Sequence, residues 1–337
     1  QTADSYFFDA SYDGSNGASN GSRDRPFLKF NGSGLTPTAG KYYFWKRGET
    51  YIREWSIVIN PLVDGEFPEW ITYDAYGQGN RPLINGTDQR ESPTLLHRFV
   101  DVGGGSFSND DPLLEANKFR ISNFSTWHDK SDNFYPFLIK ARGKHIQFRR
   151  IDMEETVFTE GFMYFQVDMD LPYEQRHIYL ESIRTKNSKF RSIKIETGGL
   201  VGLNFYCVNL GATVTEHPAP GAANHPYVDL QFIYAHGDNI STSNLGLQVR
   251  SSNQKYRWAW LSGFGHALVS FNHSSLEGLG GIYAIYDSGF SDIILEGVQS
   301  AASYFGRHPE TFDVSDGVYF ERVTVVSGKG FQVGEGA

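Results

Sequence analysis

The 337-residue chain is poor in cysteine, in basic charge and in long apolar runs, and each shortage excludes a class of protein. A single cysteine, Cys207, permits no intramolecular disulfide, so the fold must rest on its core. Cys207 stands in the apolar segment LNFYCVNL and reads as a small buried hydrophobe rather than a reactive thiol. Lys and Arg number 30 against 39 Asp and Glu, a net charge of −9. That balance argues against a nucleic-acid partner, whose phosphates call for a basic surface. No apolar stretch approaches the ~20 residues that a membrane-spanning helix needs.

What is present points to many short strands. Aromatic residues reach 15% and glycine 36 residues, with the glycines between short apolar runs, where they read as turns. One pattern recurs: apolar, any, apolar, any, any, apolar. It fits Ile71-Tyr73-Tyr76, Phe119-Ile121-Phe124, Ile146-Phe148-Ile151, Ile178-Leu180-Ile183 and Leu203-Phe205-Val208. It fits again at Val228-Leu230-Ile233, Tyr256-Trp258-Leu261, Ile293-Leu295-Val298 and Val318-Phe320-Val323. From Phe119 onward the copies recur every 25 (Leu203 to Val228) to 37 (Tyr256 to Ile293) residues. A second strand falls between copies, as in FLIKAR, MYFQVD, SIKIE, LGLQVR, ALVSFN and GIYAIY. Two or three strands per repeat predict a β-solenoid, each strand pairing with its equivalent about 4.8 Å away in the next coil. A β-sandwich would also use many short strands, but it needs hairpin turns that these irregular links do not supply.

The N-terminal third carries a further signal. YFFDASYDGSNGASNGSRDRPFLKF is a strand, a Gly/Asn-rich loop and Pro-Phe. A second segment supplies Phe44, Lys46, Gly48, Glu49 and Tyr51, and ITYDAYGQGNRPLING supplies Tyr76, Gly77, Gly79, Pro82, Ile84 and Gly86. This order resembles the opening of right-handed parallel β-helix proteins of the pectate-lyase-like superfamily. Gly40-Lys41 stands where that pattern has Gly-Asp, a departure. The resemblance implies an all-β right-handed parallel β-helix, with residues 1–40 as an N-terminal strand, loop and cap segment and 41–337 as the helix. Gly77 and Gly79 are expected at φ > 0 in a sharp corner, and Pro82 at the start of the next strand. Functions in the superfamily range over polysaccharide lyases, glycoside hydrolases, epimerases, phage tailspikes and non-catalytic adhesins.

Candidate chemistry follows from aligning the second strands with their apolar residues inward. The outward column is then Lys140, Arg142, Gln166, Asp168, Asp170, Lys194, Glu196, Gln248, Arg250, Ser270, Asn272 and Tyr283. Such a mixture suits β-elimination on an acidic polysaccharide, where a cation neutralises the uronate carboxylate, a base removes the adjacent proton and an acid assists the leaving oxygen. Lys194, Glu196 and Arg250 are the catalytic candidates, with His236 in AHGDNIS as a further one. Lys140, Arg142, Gln248, Asn272 and Tyr283 are candidate substrate contacts, and Asp168 and Asp170 candidate Ca²⁺ ligands. A hydrolase would need two carboxylates across the bond, for which Asp168 and Glu196 are placed. The Gly-His-Gly segment of polygalacturonase-like enzymes is missing. Trp258 is expected inward, while exposed Tyr and Trp could stack on sugar rings.

The expectation is therefore an extracellular polysaccharide lyase on an acidic polymer. The rivals are a glycoside hydrolase and a non-catalytic adhesin, tailspike or structural β-helix. The protein would be a monomer, or a homotrimer if an adhesin. The chain opens on Gln1, which fits a mature protein whose signal peptide has been removed or a chain deliberately begun there. GVYFERVTVVSGKGFQVGEGA still reads as a coil, and a bare solenoid end exposes a strand edge, so either more chain or a partner is expected there.

Overall fold

The structure, a computed structural model, describes residues 4–52, 57–59, 69–85, 99–102, 116–128, 137–139, 143–155, 163–165, 177–186, 191–195, 199–210, 213–216, 227–237, 245–249, 253–272, 287–306 and 318–335. Among these residues there is no helix, and the strands form three sheets of thirteen, six and four strands. All the pairings are parallel. The architecture is a parallel β-solenoid, with each coil hydrogen-bonded to the next and one face of every strand turned into a narrow apolar interior.

The recurring sequence pattern has a backbone cause. Residues 146, 148 and 151 are fully buried, while Arg150 has a φ of 55°. Equivalent left-handed residues stand at Asn123, Ser182, Asn204, Phe232, Trp258, Asp292 and Arg322. A residue in that conformation turns the strand through a corner without changing which face points inward. Hence two residues, not one, separate the second and third inward positions. A second left-handed residue, such as His145, His177, Asn253 or Asp287, precedes the inward series. Asn, Asp and His tolerate this conformation better than most residues, whereas each non-glycine residue there costs about 1–2 kcal/mol.

The 71–86 stretch is an early form of the same corner. Ile71, Thr72 and Tyr73 pair with Phe119, Arg120 and Ile121 of one long strand, and Leu83, Ile84 and Asn85 pair with Ser125, Thr126 and Trp127 of that same strand. Gly77 (φ 80°) and Gly79 (φ 108°) make the wide corner, and Pro82 directly precedes the strand Leu83–Asn85. Later coils replace this loop with a single residue.

Register corrects three of the expected copies. Ile178, Leu180 and Ile183 pair with Leu200, Gly202 and Phe205, not with Leu203, Phe205 and Val208. The next mismatched coil uses Gln254, Tyr256 and Ala259, and the following one Ser288, Phe290 and Ile293. Gly202, Gln254 and Ser288 are not apolar, so a hydrophobic template slides past them. A Cβ on Gly202 would lie 2.3 Å from the Phe205 ring, which fills the space a larger side chain occupies in other coils. Trp258, expected inside, is a left-handed corner residue and 43% exposed.

The aromatic excess serves the first coils. Trp45 is fully buried, with its ring centroid 4.6 Å from Phe8, 5.1 Å from Tyr73 and 5.3 Å from Phe124. The Tyr51 hydroxyl donates to the Phe8 carbonyl at 2.8 Å, so its polar end is satisfied inside the core. Outside the first strand, Ser5–Phe8, Phe7 and Asp9 donate to the carbonyls of Gly21 and Phe27, and Phe27 donates back to Phe7.

Backbone strain at the corners gives a test. Ser182→Gly should leave the melting temperature nearly unchanged, because glycine enters a φ of 56° without a Cβ clash. Ser182→Val should destabilise by about 1–2 kcal/mol, read as a lower melting temperature. Equal behaviour of the two variants would contradict the corner assignment.

Candidate functional site

Most of the residues expected in the outward column lie outside the described side chains: Lys140, Arg142, Asp168, Asp170, Glu196, Arg250 and Tyr283, and the side chains of Lys194 and Asn272. Some of the neighbouring strands are placed. The column is split between two sheets, with Arg191–Ile195 in the six-stranded sheet and Leu245–Val249 and His266–Asn272 in the four-stranded one. Lys194 stands in register with Tyr164 and Glu216, so a whole strand, Thr213–Glu216, lies between it and Leu245–Val249. Gln248 is corrected outright: it is 1% exposed, because Gly246, Leu247, Gln248 and Val249 are all buried. It cannot contact a substrate, and its carbonyl accepts the Tyr256 hydroxyl at 2.9 Å. His236 is half-buried, with Nδ1 2.8 Å from Ser262 Oγ in the next coil.

The described site lies on the outer face of the main sheet, just past the left-handed corners. The first outward residue after each corner forms a column: Ser125, Asp152, Arg184, Tyr206, Tyr234, Trp260 and Ile294. The next outward position adds Glu154, Lys186, His236 and Ser262. Two hollows open along this face. One, of about 570 Å³, is lined by Asp152, Glu154, Arg184, Lys186 and Tyr206 among others. The other, of about 650 Å³, is lined by Phe232, Tyr234, Trp258, Trp260 and Ile294 with Asp292 and Arg322. A third, of about 600 Å³, continues the first towards the wide corners of the early coils, with Arg47, Glu49 and Arg81 in its wall.

Charge in the first hollow is mostly paired. Lys186 Nζ lies 2.9 Å from Glu154 Oε1, and Arg81 2.6 Å from Asp152 Oδ1. Arg184 is the exception. It has no carboxylate partner among the described residues; instead its guanidinium lies over the Tyr206 ring, 5.0 Å from the centroid. The other face of Tyr206 stacks on Tyr234 at 4.8 Å and 14°. Arg184 is thus an exposed cation, without a carboxylate partner among the described residues, positioned by a two-ring stack. In the second hollow Phe232 stacks on Trp258 at 4.9 Å, whereas Trp260 stands at 88° to Tyr234.

Beside Glu49, Lys46 Nζ bridges Asp9 (2.7 Å) and Glu49 (3.7 Å), and the Ser11 hydroxyl lies 2.8 Å from Asp9 Oδ1. Burial alone would push the Asp9 carboxyl up, but hydrogen bonds from Lys46 and Ser11 outweigh it and hold the group below the usual carboxylate value. Among the described residues no three His, Cys, Asp or Glu side chains converge as metal ligands.

No family model and no curated protein sequence matches the chain. Solved structures of similar path include a rhamnogalacturonan lyase, 12% identical, with a TM-score of 0.47 over 95% of this chain and 86% of that one. The A-module of the Azotobacter vinelandii mannuronan C-5 epimerase AlgE4 is 10% identical, with a TM-score of 0.37 over 87% of this chain and 88% of that one. Values this low say nothing about what the chain does.

A depressed Asp9 contributes stability above its unfolded-state value near pH 4, and that contribution disappears as pH falls through the lower folded-state value. Asp9→Asn should therefore cost roughly 1 kcal/mol at pH 7, with the gap to wild type closing below about pH 4. Melting curves from pH 2 to 8 would show it; a gap independent of pH would contradict the Lys46 pairing.

Proposed function

We propose that the outer face of the main sheet binds a linear acidic polysaccharide along the solenoid axis and cleaves it by β-elimination. The observation that carries this is one continuous column, Asp152-Arg184-Tyr206-Tyr234-Trp260, with a guanidinium that no described carboxylate pairs towards one end and exposed rings towards the other. Successive coils present one outward residue about every 4.8 Å, so a long polymer meets a repeating set of contacts. Sugar rings offer apolar C–H faces to aromatic side chains, and uronate carboxylates offer a partner to Arg184.

In the proposed step Arg184 binds the uronate carboxylate and stabilises the negative charge that develops when the adjacent proton leaves. Tyr206, against Arg184, accepts the C5 proton at its phenolic oxygen and passes its own hydroxyl proton to water. The C–H electron pair becomes the C4–C5 double bond and the C4–O glycosidic bond breaks. Lys186, 2.9 Å from Glu154, donates a proton to the leaving oxygen. The reading places the protein outside the cell, as a monomer. Lys194, Glu196, Arg250 and His236 remain the competing catalytic set, and Asp168 and Asp170 the proposed Ca²⁺ ligands.

A second reading has its own support. Both carboxylates and the lysine of the first hollow are tied up in ion pairs, an arrangement that suits holding a glycan without reacting with it. The same surface would then serve a non-catalytic β-helix.

The test is absorbance near 235 nm during incubation with alginate, pectate, chondroitin, hyaluronan and ulvan, with Ca²⁺ or with chelator. A rise shows the unsaturated product, and Arg184→Ala should lower the rate about 10²–10³-fold. Loss of signal in Lys194→Ala or Arg250→Ala but not Arg184→Ala would move the site to the other sheets. Loss with chelator would support a bound cation. A flat trace with binding retained would favour the non-catalytic reading.

A further inference from the structure

The two hollows lie on one face but offer different chemistry. In the first, Arg184 has no carboxylate partner among the described residues. In the second, the charged lining residues are Asp292 and Arg322, which neutralise each other: Arg322 Nε and Nη2 donate to the two Asp292 oxygens at 2.5 and 2.8 Å, and Arg322 also contacts Glu321. Nearby Arg257 lies over the Trp258 ring at 5.4 Å and is bound to Asp229. Among the described residues, no free cation is left there for a carboxylate.

Among the rings, Trp260 is placed differently from its neighbours. Tyr206 is covered by Arg184 and Tyr234, and Trp258 by Phe232 and Arg257. Trp260 is perpendicular to Tyr234, stacks face to face on no described ring and is 45% exposed. Its register neighbour in the next coil, Ile294, is 46% exposed. A broad indole beside an exposed aliphatic, over a neutralised ion pair, is a surface for an uncharged sugar.

Resting on the glycan-binding reading, we propose that Trp260 and Ile294 form a subsite for a sugar residue without negative charge, so that the polymer is mixed in charge. Its acidic residues lie over the coils of Asp152 and Arg184, and a neutral or esterified residue lies over Trp260. Trp260 thus determines specificity and takes no part in bond cleavage.

The test compares oligosaccharides of the five polymers named above in free-acid and methyl-esterified forms, which share a backbone and differ in charge. Binding is measured by calorimetry for wild type, Trp260→Ala and Arg184→Ala, with melting temperatures confirming that both variants fold. The expected result is that the esterified form of at least one polymer binds and that Trp260→Ala weakens it roughly tenfold, the scale of one aromatic contact. Arg184→Ala should weaken the free acid. If free acids bind through Arg184 while Trp260→Ala changes neither form, or esterified forms fail to bind, the neutral subsite is overturned and the glycan reading stands. If neither form of any polymer binds wild type, both fall together.

Discussion

Coil-on-coil stacking is the constraint from which the rest follows. Each strand can hydrogen-bond to the next coil only if successive coils turn at the same places, and the turns need residues at positive φ. The chain meets that need with Asn123, Ser182, Asn204 and Asp292, but also with Arg150, Phe232, Trp258 and Arg322, which gain nothing locally from the conformation. The strain at Arg150, Phe232 and Trp258 is sustained by ladders on both sides and by a continuous apolar interior, while Arg322 stands on the last described strand of the sheet with a ladder on one side.

The same constraint builds the candidate site. Because the corners align, the first outward residue after each of them aligns too, and side chains from distant parts of the sequence become neighbours. Arg184 and Tyr206 are brought together in this way, as are Tyr234 and Trp260. No loop or lid is needed to assemble the column. Corner width also shapes the face: the broad loops at Arg47–Thr50 and Gly79–Arg81 wall one end, while single-residue corners leave the aromatic end open.

The architecture was legible in the sequence because burial on one face alternates strictly on either side of a fixed two-residue gap. Ile146-Phe148-Ile151 and Val228-Leu230-Ile233 show this without help. Register was not legible where an inward position is Gly202, Gln254 or Ser288, since hydrophobicity alone cannot recognise a glycine whose space is filled by Phe205. Trp258 was misplaced for that reason. The column at Arg184 was not legible, because strands carrying mixed charges, Lys194 and Arg250 among them, give the stronger chemical signal in the sequence. The decisive signal was weaker: an aromatic residue directly after the third inward position in three successive coils, at Phe205-Tyr206, Ile233-Tyr234 and Ala259-Trp260. It becomes visible only once the register is right.

The central claim is that ligand lies on the outer face of the main sheet. Hydroxyl-radical footprinting with and without a bound acidic oligosaccharide reads this directly at aromatic side chains. Protection of Tyr206 and Trp260 is the predicted result. Equal oxidation of Tyr206 and Trp260 with and without the bound oligosaccharide would contradict it.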